Sequence, residues 1–186
     1  MKHFGNFCVP EGWSDITADN LLHINEITDT SVLSLVKLVK VFNPDKDPLE
    51  LSFEELTAVC GGIFDIVLNP PKDTPELDSY EVDGVTYKIA TPENIDFQQF
   101  IDVNTLRSDD YRDQIKNMPL IMSIITENRP EGVDVKDWAS EIASKVSVER
   151  GLANLLFFSK GLQPYIDAIQ HCLTSEQKER TTDATK

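Results

Sequence analysis

The chain has 186 residues and a mass of 21.0 kDa, the size of one domain able to bury a core without disulfide or metal staples. Apolar residues make up 40% but never run together over the ~20 positions that crossing a bilayer takes, so no membrane span is expected. With 32 acidic against 17 basic residues the net charge is −15, a balance that repels phosphate backbones and argues against direct nucleic-acid binding.

Met1-Lys2-His3-Phe4-Gly5-Asn6-Phe7-Cys8 has no continuous apolar segment and no small-residue cleavage site, so it is not read as a secretion signal, and a cytoplasmic protein is expected. Val9-Pro10-Glu11-Gly12-Trp13 is an irregular stretch of an N-terminal arm over 1–16, with Trp13 its one large apolar anchor. Thr17 caps a first helix carrying Leu21, Ile24 and Ile27, which Thr28-Asp29-Thr30-Ser31 breaks. Val32 to Phe42 forms a second, with Leu35, Leu38, Val39 and Phe42 on one stripe, ended by Asn43-Pro44-Asp45-Lys46-Asp47-Pro48. Ser52-Phe53-Glu54-Glu55 is a capping box, its serine hydroxyl and glutamate carboxylate each satisfying a backbone N–H of the other. It opens a helix with Leu56, Val59, Cys60, Ile63, Phe64, Val67 and Leu68 on its apolar side, where Gly61-Gly62 either admits a close neighbour or weakens the helix. Asn69-Pro70-Pro71-Lys72-Asp73-Thr74-Pro75 reads as a stiff, extended connector.

Next comes Asp83-Gly84 between Ser79-Tyr80-Glu81-Val82 and Val85-Thr86-Tyr87-Lys88-Ile89. An Asp-Gly pair between β-prone runs predicts a two-residue type I′ turn, whose central residues both need positive φ, and a β-hairpin over 79–90. An isolated hairpin is marginal in water, so this one has to lean on the helices or on another subunit. Asp96-Phe97-Gln98-Gln99 then caps a helix expected to turn Phe97, Phe100, Ile101 and Leu106 inward. Tyr111 to Thr126 is apolar at Ile115, Met118, Ile121, Met122 and Ile125, with Pro119 in its middle. Beyond the Glu127–Gly132 loop, Asp134 caps a helix bearing Trp138, Ile142 and Val146, and Ser147 caps another with Leu152, Leu155, Leu156 and Phe158. Gly161 is expected to close that helix and Pro164 to open a last one through Ile166, Ile169 and Leu173. The fold class is therefore mainly α (α+β): one compact helical domain over 17–173, with about seven to eight helices and one central β-hairpin, followed by a disordered polar tail at 174–186.

No constellation in the chain carries catalytic chemistry. His3, His23 and His171 each lack a nucleophile or carboxylate partner at a useful spacing, and Cys8, Cys60 and Cys172 are scattered without a CxxC pair. Asp45-Lys46-Asp47-Pro48-Leu49-Glu50 opens like a calcium loop, but Glu50 stands where such a loop needs glycine. No Walker loop, Rossmann fingerprint, HExxH or GxSxG occurs, and Gly61-Gly62 falls inside a helix instead of before one. The chain is accordingly read as a non-enzyme with no metal and no cofactor. Interaction candidates remain: Trp13 on the arm, Asp83, Gly84 and Tyr87 on the ribbon, and Phe157-Phe158 near a helix end. For the phenylalanines core packing is the first reading and partner contact the second, because adjacent helical residues face directions ~100° apart. Residues 69–113 hold 11 acids and 4 bases, which concentrates the charge around the ribbon and the helix after it and is first explained by solubility.

Five segments in order carry a resemblance: Val9-Pro10-Glu11-Gly12-Trp13-Ser14-Asp15-Ile16-Thr17, Asp83-Gly84-Val85-Thr86-Tyr87, Asp96-Phe97-Gln98-Gln99-Phe100-Ile101-Asp102, Arg129-Pro130-Glu131-Gly132 and Ala153-Asn154-Leu155-Leu156-Phe157-Phe158. Over residues 9 to 160 the chain resembles bacteriophage proteins of the tail-assembly-chaperone type and small virion cargo proteins of crAss-like phages. The resemblance implies a non-enzymatic phage protein that holds a tail component during assembly, or a cargo component inside the capsid or tail released with the genome. It would reside in the virion, or in the host cytoplasm during assembly, and contact tail, portal or capsid proteins or its own copies. The alternative is an acidic host-directed inhibitor that mimics nucleic acid and occupies a basic host site.

Overall fold

A computed structural model describes residues 1–27, 29, 31–69, 74–108 and 110–183, with side chains as far as Tyr165. Helix accounts for 61% of the chain, which makes the fold mainly α, as the caps and apolar stripes predict. Among the described residues the helices are α1 (Ala18–Asn25), α2 (Val32–Phe42), α3 (Phe53–Val67), α4 (Phe97–Leu106), α5 (Tyr111–Ile124), α6 (Val135–Lys145) and α7 (Val148–Asp183). Two antiparallel ribbons accompany them, β1 (Lys2–Phe4) with β2 (Phe7–Val9) and β3 (Ser79–Val82) with β4 (Val85–Lys88).

Local chemistry sets the helix starts. Thr17, Ser52 and Asp96 each accept from the backbone N–H three residues on, while the side chains of Asn20, Glu55 and Gln99 accept from the cap's own N–H, closing three capping boxes. Ser31, Asp110 and Asp134 cap α2, α5 and α6, and the Ser147 hydroxyl accepts from Arg150 N–H at the start of α7. The core these helices enclose is built on α5: Ile115, Met118, Ile121, Met122 and Ile125 are all buried, as their spacing predicts. Helix α7 packs so closely on α5 that a Cβ on Gly151 would lie 2.1 Å from the Met118 sulfur.

Four elements depart from expectation. The arm is not wholly irregular: Gly5-Asn6 turns β1 back on β2, with Gly5 at φ +58, the positive φ that a type II′ turn requires of its first central residue. Asn43, at the end of α2, then serves β2 as a strand would, accepting from Cys8 N–H at 2.7 Å and donating to Cys8 O at 2.9 Å. Second, Gly161 does not end a helix. It lacks the left-handed φ of a helix-closing glycine, and its hydrogen gives room to Pro92, whose ring carbons would lie 3.0 Å from a Cβ there. The expected last two helices are thus the single α7, with Pro164 in its interior. Third, the backbone stays helical to Asp183 where the polar composition of 174–186 predicts disorder; extending a formed helix through Glu, Gln, Lys and Arg is cheap compared with nucleating one. Fourth, α4 turns Val103 to the core, half-buries Phe100 and Leu106, and leaves Phe97 and Ile101 exposed.

The connector positions 70–73, the breaker residues Thr28 and Thr30, the end of the tail at 184–186, and the side chains of Ile166, Ile169, His171, Cys172 and Leu173 lie outside the described residues. Among the described residues, no helix is long and apolar enough to cross a membrane.

Candidate interaction surface

The β3–β4 ribbon has the predicted turn, Asp83 at φ +52 and Gly84 at φ +77, and pairs Tyr80 with Tyr87 across it. Its support comes from the helices. On the β4 edge, the chain leaving α5 acts as a third strand: Ala90 N–H donates to Ile125 O at 2.7 Å and Glu127 N–H to Lys88 O at 3.0 Å. The Asn128 side chain continues that edge, accepting from Lys88 N–H and donating to Thr86 O. On the β3 side, Asn154 of α7 donates to both Leu77 O and Ser79 O.

Under the ribbon a directed chain of hydrogen bonds joins three elements. The Trp138 indole N–H donates to the Tyr80 hydroxyl at 2.9 Å, and the Thr126 hydroxyl donates its only proton to Met122 O at 2.7 Å. Tyr80 must therefore donate to Thr126, 2.6 Å away, and every polar hydrogen in this buried network is used. Tyr87 stacks on Tyr80 with ring centroids 5.6 Å apart and tilts against Trp138 at 4.7 Å. Burial pushes the Tyr80 hydroxyl above its ordinary pKa, so it stays a donor. Tyr87 is thus a core residue, and Asp83, exposed at the tip, is held by Lys145, whose ammonium also reaches Glu141.

The other sequence candidates lie apart. Trp13 is buried, donates from its indole to Asn69 O at 2.8 Å and meets Tyr111 edge-on at 6.5 Å between centroids. Phe158 is buried and Phe157 half-buried against the core. Trp13, Tyr87 and Phe158 are therefore not surface anchors: each supplies the large apolar area that the core needs, and for Phe158 this is the first of the two sequence readings.

Exposed apolar chemistry gathers elsewhere. Between the end of α4, the start of α5 and the first half of α7 runs a groove of about 500 Å³, with Val103, Leu106, Tyr111, Leu152, Leu155 and Leu156 among its walls and Arg107, Ser108, Gln114 and Ser159 at polar positions. Leu156 and Tyr111 each keep 37% of their surface open there. The leucines were legible as helix stripes, but nothing local marked them as unfilled. Phe97 at 77% and Ile101 at 40% exposure add apolar surface on α4, four residues apart. A second cleft between α4, α5 and α6 mixes Leu106, Leu120, Ile124 and Val135 with charges of both signs, Asp102, Arg129, Asp134 and Lys136.

Titratable chemistry is sparse. Burial raises the Cys60 thiol to about 11, where it is protonated and unreactive at neutral pH. Cys8 Sγ lies 3.8 Å from His3 Nδ1 on the β1–β2 ribbon. Among the described residues no three His, Cys, Asp or Glu side chains group to hold a metal ion. No family model, no curated protein and no solved structure matches this chain.

Proposed function

We propose that this chain is a non-enzymatic bacteriophage protein that works by protein contacts, as a component carried inside the particle or as a chaperone for a tail component. The contact role is carried by one observation: the apolar groove between α4, α5 and α7, open at Leu156 and Tyr111 in a chain of net charge −15. Exposed apolar surface of this kind, rimmed by polar groups, is the usual mark of a site for another protein. The phage assignment rests on the five ordered segments from Val9 to Phe158.

Quantitative mass spectrometry of purified mature particles, beside lysates of infected cells, tests the role. Several copies per particle are expected for a virion component, and presence in lysates in complex with a tail protein for a chaperone. A chain found in neither setting, or one that turns over a substrate, contradicts the proposal.

The acidic-mimic reading is favoured by a single fact, the concentration of 11 acids against 4 bases in residues 69–113. It predicts instead a host complex whose affinity falls steeply with salt, since exposed charges are screened within about 10 Å at 0.1 M.

A further inference from the structure

We infer that α4 is a flap: it detaches from α5 while the rest of the fold stays closed, and in doing so joins the two clefts on its flanks into one trough. This goes beyond the contact role proposed above and does not depend on it.

Apolar burial holds α4 only weakly. Of its ten residues Val103 alone is buried, against seven of the fourteen in α5. Phe100 and Leu106 are half-buried, and Phe97 and Ile101 are open to water. The helix packs chiefly on α5. A helix this short owes its place to the apolar area it covers, and one valine with two half-covered side chains supplies little of it.

Polar ties sit at the two ends. At the first, the Gln99 amide donates to Ile124 O at 3.1 Å. At the other, Asn117 of α5 donates to Leu106 O at 2.8 Å and Gln114 to Ser108 O at 2.9 Å. All three bonds are only partly buried, so water takes them over on opening and each resists the movement weakly.

The space beside α4 shows where it can go. Leu106, on its last turn, lines both clefts, each of about 500 Å³. Val103 and Ile121 line the one toward α7, while Asp102, Thr105, Leu120 and Ile124 line the one toward α6. Close-packed interiors leave no such room, so a helix with unfilled space along both flanks shifts without dislodging packed neighbours. With α4 lifted, Ile121 from one cleft and Leu120 and Ile124 from the other become the floor of a single trough along α5, between α6 and α7.

Native-state hydrogen exchange of the full chain, followed by mass spectrometry at low urea concentrations, tests this. A ten-residue helix without its support is marginal in water, so detachment exposes its amides to exchange. The hydrogen-bonded amides of α4 should be protected about 100-fold less than the slowest amides of α5, the gap between a local opening and global unfolding. Tyr80→Phe weakens the bond network under the ribbon, which stays intact when α4 opens alone, so it should speed exchange in α5 and leave α4 unchanged. Val103→Ala removes the one buried side chain and should speed exchange in α4 by about tenfold, whereas Phe97→Ser, at an open position, should not. Protection in α4 equal to that in α5, a Tyr80→Phe variant that speeds both helices in step, or an α4 indifferent to Val103→Ala would overturn the inference. None of these outcomes bears on whether the chain is found in particles or in tail complexes, so the flap and the contact role stand or fall separately.

Discussion

The β3–β4 ribbon and the α4–α7 groove both draw on Tyr and Leu-type side chains, yet they end in opposite states. At the ribbon, Tyr80, Tyr87 and Trp138 stack and bond among themselves, Thr126 passes the last proton to Met122 O, and the β4 edge is covered by the chain leaving α5. At the groove, Leu156 and Tyr111 remain open to water. A two-stranded hairpin needs outside support, and here the helices of the same chain provide it. The ribbon, which looks from sequence like the part built for a partner, is satisfied within the fold, and the three helices that look ordinary carry the unfilled apolar surface.

Breaking the ribbon's anchor gives the largest expected effect. Trp138→Ala removes the ring against Tyr87 and the donor to Tyr80, and is expected to destabilise the fold by about 3–5 kcal/mol in urea unfolding followed by circular dichroism. Tyr80→Phe keeps the ring but leaves the buried Trp138 N–H without an acceptor, for a loss of about 1–3 kcal/mol by the same measurement. If that variant were as stable as wild type, the directed chain of bonds would not be what fixes the ribbon.

Gly151→Ala probes the seam beneath the groove. The new methyl meets the Met118 side chain, whose flexible end can give way in part, so a loss of about 1–2 kcal/mol is expected, at the lower end of overpacking effects. The smallest effect has the opposite sign. Gly61 in α3 has no neighbour within 4 Å of a built Cβ, so Gly61→Ala should stabilise the chain by about 0.5–1 kcal/mol while leaving both regions untouched. A loss there would mean that the Gly61-Gly62 pair is needed for close packing.

The alkaline limb offers a further handle on the core. The Cys60 thiol is raised to about 11 by burial, so the stability tied to its neutral form is complete below the ordinary thiol range near pH 9 and declines as pH rises through 11. Cys60→Ala should flatten that part of a stability-against-pH curve, and an unchanged slope would assign it to other groups such as Tyr80.

Helix starts were legible because a cap is a local contract: Thr17, Ser52, Asp96, Asp134 and Ser147 each need only the next three residues to act. The Asp83-Gly84 turn is equally local. The face of α4 was not legible, because Phe97, Ile101 and Val103 are all apolar and only the position of α5 decides which of them is covered. Gly161 misleads for a related reason: a glycine that ends a helix and one that admits a neighbour look alike until Pro92 is seen against it. The Gly5-Asn6 turn did have a signal, a Gly-Asn pair between Phe4 and the apolar run Phe7-Cys8-Val9, hidden by the Pro and Gly that follow in the arm. Openness of the groove has no sequence signature at all, since Leu152, Leu155 and Leu156 read like any buried stripe.

The contrast between the two regions can be tested with one photo-crosslinking measurement on the full chain in infected cells. A photoreactive amino acid is placed at Leu156 in the groove or at Val85 beside the ribbon's turn, both open positions. The expected result is an intermolecular adduct from position 156 and none from position 85. An adduct from position 85 with none from 156 would show that the ribbon, and not the groove, is where this protein meets its partner.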